Sequence, residues 1–198
     1  MFKSSIMKLT FKFIIAITLT ITSIAFSYSQ SLTANKTQSL IRWYGEELTG
    51  KTHFGNLSFK EGQIELQDGL IIGGTFVVNM TTLSVEDLSG GSKARLEGHL
   101  RSDDFFSVDK YPEATLKITQ KAKFEGDVQK LYGELTIKGI KHAVDFTIIL
   151  GDKKTAIANL TFDRSKYNVR FRSGSFFENL GDKLILDDIR MEVSLQWN

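Results

Sequence analysis

Alternation of apolar and polar residues with a period of two runs through most of this chain and limits what it can fold into. It is clear over residues 143–150, 189–197 and 63–67, and the last stretch is followed by Asp68-Gly69. A period of two places successive side chains on opposite faces of a strand. Aspartate followed by glycine tolerates the positive φ angles of a tight hairpin turn. The pattern predicts β-strands joined by short turns.

The spacing of the turns favours one antiparallel sheet over alternating strands and helices. Turn signals recur at short intervals, and the chain has one proline. Some strands carry apolar residues on both faces, as Val77 beside Phe76 and Ile149 beside Ile148, which a flat sheet with one wet face does not need. We therefore predict an all-β fold, a single antiparallel barrel of roughly eight strands with an apolar pore.

Residues 92–100 depart from the alternation. Leu96 and Leu100 lie four positions apart, as on one face of a helix, and Ser92 can act as the N-cap. Gly98 lowers the helix propensity, and a glycine pair precedes the stretch. We predict a short helix near one end of the barrel.

The first 29 residues have the features of an export signal. Lys3, Lys8 and Lys12 precede an apolar run over residues 13–26, and small residues follow it. Cleavage is expected between Ser29 and Gln30, which leaves residues 30–198 as one domain in the periplasm or outside the cell. The alternative is an uncleaved N-terminal anchor, although the run is short for a membrane span.

Charge and cysteine content exclude several classes of function. The chain has 25 basic and 23 acidic residues, but three lysines leave with the signal, so the mature chain is close to neutral and shows no nucleic-acid footprint. It has no cysteine. Thiol catalysis, thiol redox chemistry and thiolate metal sites are therefore excluded, and the core alone must stabilise the fold.

No arrangement of residues predicts catalysis. His53, His99 and His142 lack the spacing of a zinc motif, although strands could still bring them together. The pairs Asp103-Asp104 and Asp187-Asp188 would point to opposite faces if they lay in strands. We predict no catalytic residue and no metal site.

Aromatic residues at loops and strand ends favour a binding site instead. The chain has 15 phenylalanines, and two Phe-Phe pairs lie in polar surroundings that contain glycine. Each phenylalanine could simply pack the core, but together they could line the mouth of an apolar cavity. A ligand tail of about twenty carbons would gain roughly 16 kcal/mol there before ordering costs.

We predict two groups of ligand contacts. The residues expected to contact an apolar tail are Phe54, Phe76, Val78, Met80, Leu100, Phe105, Phe106, Phe146, Phe162, Phe176 and Phe177. The residues expected near a polar or anionic headgroup are Arg95, His99, Arg101, Asp104, Arg170 and Arg172. Solvation at the surface is the alternative for each arginine.

Four motifs in order resemble the YceI-like family. Residues 99–106 (HLRSDDFF) with 110–114 (KYPEA) resemble its central signature, and residues 133–140 (GELTIKGI) its second. Residues 162–167 (FDRSKY) look like its third, and residues 53–55 (HFG) look like its early histidine element. The chain departs from the family pattern at residues 96–98 and 141–143, close to charged positions, so its headgroup preference could differ.

The resemblance implies a lipocalin-like barrel with an amphiphile in its pore. Members of the family are exported bacterial proteins thought to bind polyisoprenoids such as isoprenoid quinones or polyprenyl phosphates. We therefore expect a carrier or store of a long isoprenoid lipid, with no cofactor other than that lipid and transient contact with a membrane or membrane protein. Pairing of two copies in a homodimer stays open.

Two other functions are kept as alternatives. One is an enzyme that acts on such a lipid within the pore through His99 and Asp104. The other is a structural or interaction barrel that is packed shut. The small residues Ala114, Ala158 and Gly133 argue for space along the strands and against the second alternative.

Overall fold

The computed structural model describes residues 29–152 and 154–198, so the predicted export signal lies outside the described residues apart from Ser29. None of the helices in these ranges is long and apolar enough to cross a bilayer. One helix, α1, spans Gly90–Arg101. The strands are β1 (Ser29–Thr33), β2 (Leu40–Glu46), β3 (Thr52–Gln67), β4 (Leu70–Asn79), β5 (Glu113–Ile118), β6 (Lys123–Glu125), β7 (Val128–Ile137), β8 (Ile140–Leu150), β9 (Thr155–Asp163) and β10 (Asp188–Gln196). Short 3₁₀ turns lie at Met80–Thr82, Arg164–Tyr167 and Gly181–Lys183.

Eight of these strands close into an antiparallel barrel. The order is β3-β2-β10-β9-β8-β7-β5-β4, and β4 pairs with β3 to complete the ring. β1 extends the sheet beside the C-terminal half of β3, and β6 pairs with the start of β7. Closure satisfies the backbone groups that an open sheet would leave at its edges. The predicted eight-stranded barrel is confirmed.

The two ends of the barrel differ. At the closed end, short turns join the strands, and Asp68 and Gly69 adopt the positive φ angles of 53° and 77° that the sequence predicts for this hairpin. Ile64, Ile71 and Leu131 are fully buried and fill the barrel towards that end. The opposite end, which we call the mouth end, carries two long insertions between strands, residues 80–112 and residues 164–187. We call residues 164–187 the mouth loop.

The predicted short helix is confirmed as α1, but its predicted cap is wrong. The helix begins at Gly90, two residues before Ser92, and Ser89 occupies the N-cap position without a capping hydrogen bond from its side chain. Gly90 has a φ of 56°, which lets the chain turn into the helix at that point. Glu97 accepts a hydrogen bond from the backbone of Val85 at 2.9 Å and so fastens α1 to the strand-like segment before it.

That segment crosses the barrel wall closely at Gly55. Asn56 N donates to Ser84 O at 3.2 Å, Ser84 N donates to Asn56 O at 3.0 Å, and Glu86 N donates to Phe54 O at 2.8 Å. The Trp43 indole also donates to Ser84 O, at 3.0 Å. A Cβ on Gly55 would lie 1.7 Å from Ser84 O. Glycine is therefore required here by the approach of a second backbone.

The mouth loop is organised around one buried cation, Arg164. Its side chain is fully buried, and its guanidinium lies 5.5 Å from the centre of the Phe105 ring. Four backbone carbonyls accept its hydrogen bonds at 3.0–3.1 Å, those of Val169, Phe171, Ile185 and Leu186. The planar fork of arginine suits several fixed acceptors at once.

Asp187 provides the charge that opposes Arg164. Its Oδ1 lies 3.2 Å from Nη2 of Arg164, and its Oδ2 accepts hydrogen bonds from Ser173 Oγ at 2.8 Å and Ser175 Oγ at 2.7 Å. Burial lowers the pKa of Arg164, and the nearby carboxylates of Asp187 and Asp163 oppose that shift. Arginine carries its charge throughout the physiological pH range, so this is an ion pair. Arg164, at the start of the mouth loop, thereby holds both its first part and its end in place.

Replacing Gly55 tests the close crossing. We expect Gly55→Ala to lower the free energy of unfolding by about 2–4 kcal/mol, because Ser84 must move away from β3. Gly98→Ala is the matched control: a Cβ there meets nothing within 4 Å, so the helix should be unchanged or stabilised by up to ~1 kcal/mol. Urea unfolding of both variants measures the difference, and equal tolerance of the two would contradict the assignment.

Arg164→Lys tests the centre of the mouth loop. Lysine keeps the charge but cannot reach four carbonyls in the plane of one fork, so we expect a loss of at least about 3 kcal/mol in unfolding free energy. Arg170→Lys, at an exposed position of the same loop, should stay within about 0.5 kcal/mol of the wild type. A thermal or urea transition for Arg164→Lys that matches the control would show that the loop does not need the guanidinium.

Candidate functional site

The barrel encloses one large apolar cavity. Its volume is about 290 Å³, near the lower end of the 300–1,000 Å³ that is typical of ligand pockets. Each of the eight barrel strands contributes at least one apolar side chain to the lining. One example from each strand, in chain order, is Ile41, Leu57, Phe76, Leu116, Leu135, Phe146, Phe162 and Val193.

Polar groups in the lining gather at the mouth end. Six lining side chains carry a charged, imidazole or hydroxyl group, and all but Thr115 come from the mouth-end termini of β2 and β3, from α1 or from the mouth loop. They are Glu46, Glu47, His53, His99, Thr115 and Arg172. An apolar chamber with polar groups at one end matches a ligand that is itself apolar along most of its length and polar at one end.

His99 contributes an aromatic ring to the lining of this chamber. Its ring is held edge-on to Phe171 at 4.3 Å and to Phe105 at 5.2 Å between centroids. Its Nε2 is buried and has no hydrogen-bond partner among the described residues. Leaving such an atom without a partner costs about 1–3 kcal/mol. A polar ligand group that reached this nitrogen would remove that cost.

His53, by contrast, is fixed by a neighbouring carboxylate. Its Nδ1 lies 2.7 Å from Asp87 Oδ2, and Asp87 Oδ1 also accepts a hydrogen bond from Phe54 N at 3.0 Å. Burial acts to raise the pKa of Asp87, but the hydrogen bonds from Phe54 and His53 outweigh it and hold that pKa below its ordinary value. Nε2 of His53 lies 4.0 Å from Glu47 Oε1. This edge of the mouth is therefore rich in carboxylates.

Most of the residues predicted from sequence lie at this site. The structure places ten of them in the cavity lining: Phe76, Val78, Met80, Leu100, Phe105, Phe106, Phe146, Phe162, His99 and Arg172. The cavity therefore brings together residues that are far apart in the sequence, with the tail-contacting group along the strands and two of the headgroup group at the mouth.

Three of the predicted phenylalanines do not line the cavity. Phe54 alternates with His53 and Gly55 along β3 and so points outward, where its ring lies 5.9 Å from that of Tyr44. Phe176 and Phe177 belong to the mouth loop but are 40% and 50% exposed.

Four of the predicted headgroup residues also lie outside the lining. Arg95 and Asp104 are exposed, and the guanidinium of Arg101 donates to the backbone carbonyl of Leu83. Arg170 lies over the ring of Phe176, 4.8 Å from its centre. These side chains therefore face solvent or stabilise loops.

The sequence reasoning also missed part of the mouth. Glu46, Glu47 and Phe171 line the cavity, and Asp87 positions His53, but none was predicted as a site residue. The alternation along β2 would have placed Glu46 on the outer face, because Ile41, Trp43 and Gly45 hold the inner positions, so it could not have indicated this residue. The contact between Asp87 and His53 spans 34 positions and leaves no local signal. Among the described residues, no group of three or more histidine and acidic side chains is arranged to hold a metal ion.

The fold is shared with solved bacterial structures. A structure of BcnA from Burkholderia cenocepacia superposes with a TM-score of 0.62 at 16% identity, over 82% of this chain and 98% of that one. A polyisoprenoid binding domain from Saccharophagus degradans, implicated in plant cell wall breakdown, superposes with a TM-score of 0.56 at 12% identity, over 84% and 97% of the two chains. Identities this low show a common fold.

Sequence comparison gives the family. A UPF0312 protein of Photorhabdus laumondii is 41% identical over 51 residues, a stretch that covers 26% of this chain and 26% of that protein. The YceI-like domain family matches residues 32–197, a range that includes all four motifs described above. This match confirms the resemblance that the motifs indicated. The chain therefore belongs to the family of YceI-like domain proteins.

Proposed function

We propose that this protein binds a long isoprenoid lipid, with the tail inside the barrel and the headgroup at the mouth. The observation that carries the proposal is the distribution of polarity in the cavity. Apolar side chains from all eight barrel strands line it, and the charged and imidazole groups stand only at the mouth end. The Saccharophagus structure, described as a polyisoprenoid binding domain with this fold, supports the choice of lipid.

The cavity can hold such a tail without a precise polar site. Burying a methylene group gains about 0.8 kcal/mol, so a tail segment of about ten such groups gains roughly 8 kcal/mol before ordering costs. Only the part of this gain that exceeds the cost of ordering the lipid contributes to affinity. The headgroup contacts then orient the lipid and add selectivity.

The charges at the mouth favour a neutral headgroup over a phosphate. Glu46 and Glu47 line the mouth beside a single lining guanidinium, that of Arg172. Lys51 Nζ also lies 3.9 Å from Glu47 Oε1, so the carboxylates offset the nearby cations and leave no excess of positive charge to attract a phosphate. A quinone carbonyl or a hydroxyl can instead hydrogen-bond to Nε2 of His99, which has no other partner in the described part of the chain. Of the two expected classes, we propose the isoprenoid quinone.

Both alternative functions are less well supported. A barrel packed shut is opposed by the open volume of about 290 Å³. An enzyme that uses His99 with Asp104 is opposed by their placement, because Asp104 is exposed and does not line the cavity that His99 lines. We propose a binding protein that acts in the periplasm or outside the cell after removal of residues 1–29.

Lipid carried by the purified protein tests the main proposal. We expect native mass spectrometry of protein exported by its bacterial host to show one lipid bound per chain, and organic extraction to release an isoprenoid. The intact mass should correspond to a chain that begins at Gln30. No lipid after purification, together with no uptake of added ubiquinone or polyprenyl phosphate, would rule the proposal out.

A matched pair of substitutions locates the lipid in the cavity. Ala158→Leu fills space in the lining and should reduce quinone uptake about tenfold, whereas Ala94→Leu adds the same side chain at an exposed position of α1 and should leave uptake unchanged. Thermal unfolding checks that both variants fold. Equal uptake by both folded variants would place the lipid elsewhere.

His99→Phe tests the headgroup contact. Phenylalanine keeps the ring contacts but cannot donate, so we expect three- to tenfold weaker binding of a quinone, the range of one net hydrogen bond. Binding of a hydrocarbon analogue without oxygen should be unchanged, and removing the unpartnered nitrogen should raise thermal stability. Arg95→Gln, outside the lining, is the control. A loss that is equal for quinone and hydrocarbon would assign His99 a purely structural role.

A further inference from the structure

Two adjacent phenylalanines of the mouth loop are turned towards solvent. Phe176 is 40% exposed and Phe177 is 50% exposed. Large aromatic side chains bury 150–250 Å² when they are covered, so leaving two of them partly uncovered next to each other forgoes a substantial gain. An exposed aromatic pair of this kind marks a surface that contacts something else.

The pair projects from a well-held turn. Phe176 N and Phe177 N donate to Ser173 O at 3.2 Å and 3.1 Å. Ser173 is fully buried, and its hydroxyl donates to Asp187, the carboxylate that faces Arg164. The two rings are therefore presented by the same buried network that organises the mouth loop.

Leu48, in the turn between β2 and β3, is a further exposed apolar side chain at the mouth end. It is 55% exposed, and its backbone N donates to Leu184 O at 2.9 Å. Leu184 in turn lies against Gly174, where a Cβ would be 3.1 Å from its Cδ1. The β2–β3 turn and the turn that carries the phenylalanines are thus neighbours. We call Leu48, Phe176 and Phe177 the aromatic tip.

Arginines border the aromatic tip and the cavity mouth. The guanidinium of Arg170 lies 4.8 Å from the centre of the Phe176 ring, and that of Arg172 lies 5.1 Å from the centre of the Phe171 ring. Lys183 adds a third cation to residues 170–184, against the acids Glu178 and Asp182. An arginine that packs over an aromatic ring still has its charged group free to bind phosphate. The ring can therefore enter an apolar layer while the guanidinium stays among the phosphates.

We propose that the aromatic tip docks on a lipid bilayer that carries anionic headgroups. Phenylalanine and leucine would enter the boundary between headgroups and acyl chains, while Arg170 would meet lipid phosphates. A bilayer fits this surface because its apolar layer lies next to its phosphates, as the Phe176 ring lies next to the Arg170 guanidinium here.

The aromatic tip lies next to the opening of the cavity, so docking would bring that opening to the membrane. Phe171 and Arg172 belong to the same mouth loop and line the cavity, so the docked protein would hold its mouth at the membrane surface. A lipid could then pass between membrane and barrel without its tail crossing water. This last step rests on the proposed lipid binding, whereas the docking itself can be measured with an empty or a filled barrel.

Co-sedimentation with vesicles tests the docking. We expect the exported protein to bind vesicles of phosphatidylcholine with phosphatidylglycerol, and the double variant F176S/F177S to bind them at least about tenfold more weakly. Phe124→Ser is the matched control, because Phe124 is 59% exposed but lies in β6 at the closed end. Arg170→Gln should weaken binding about fivefold on these vesicles and have little effect on phosphatidylcholine alone.

Fluorescence reports the depth of insertion directly. In Phe177→Trp, quenching by brominated lipids should exceed that of the wild-type protein, and in Phe124→Trp it should not. Equal vesicle binding by the wild type and F176S/F177S, or equal quenching of the two tryptophan variants, would overturn the proposal. A shift from dimer to monomer on F176S/F177S substitution, seen by analytical ultracentrifugation, would also overturn it and assign the surface to a second copy.

Lipid extraction from F176S/F177S separates the two proposals. After incubation with quinone added in detergent, which bypasses the membrane, the amount of lipid extracted from that variant should equal that from the wild type, because neither residue lines the cavity. If wild-type protein takes up lipid but does not bind vesicles, the docking proposal fails and the lipid-binding proposal stands. If wild-type protein binds vesicles but takes up no lipid, the docking proposal stands and the lipid-binding proposal fails.

Discussion

The mouth end of this barrel depends on the hydrogen bonds that the buried guanidinium of Arg164 donates. The strands satisfy one another's backbone groups, but the mouth loop is long and mostly irregular, and its carbonyls have no ladder to pair with. Arg164 donates hydrogen bonds to four of these carbonyls, and Asp187 balances its charge. Phe171 and Arg172 owe their places in the cavity wall to this arrangement, because the carbonyl of Phe171 is one of the acceptors.

The asymmetry between the two ends follows from the insertions. At the closed end, the tight turns contain no long segment that could bring polar side chains over the barrel. Fully buried residues such as Ile71 and Leu131 fill the barrel there. At the mouth end, α1 and the mouth loop bring His99 and Arg172 over the chamber, and the ends of β2 and β3 add carboxylates and His53. The apolar chamber thus has polar groups at its mouth end and no charged side chain among the apolar residues deeper inside. Burying such a charge among aliphatic side chains would be costly.

The period-two pattern predicted the barrel because every strand of a closed barrel needs an apolar side chain pointing inward at each second position. It also predicted Phe76, Val78 and Phe146 in the lining. The pattern predicts less where another part of the chain comes close. Gly133 suggested open space, yet a Cβ there would lie 2.7 Å from the carbonyl oxygen of Lys117, so the glycine permits two strands to approach each other. Arg164 and Asp87 act through partners that no spacing rule connects to them.

With one end filled and the other polar, the barrel also fixes the order in which parts of a bound lipid would move. A headgroup held at His99 would leave first, and the tail would follow through the same opening, so the last atoms sheltered from water would be those farthest from the headgroup. Loading would run in reverse and begin with the free tip of the tail. A lipid lying in a bilayer presents its headgroup at the surface, so it would have to turn end over end on its way into this barrel.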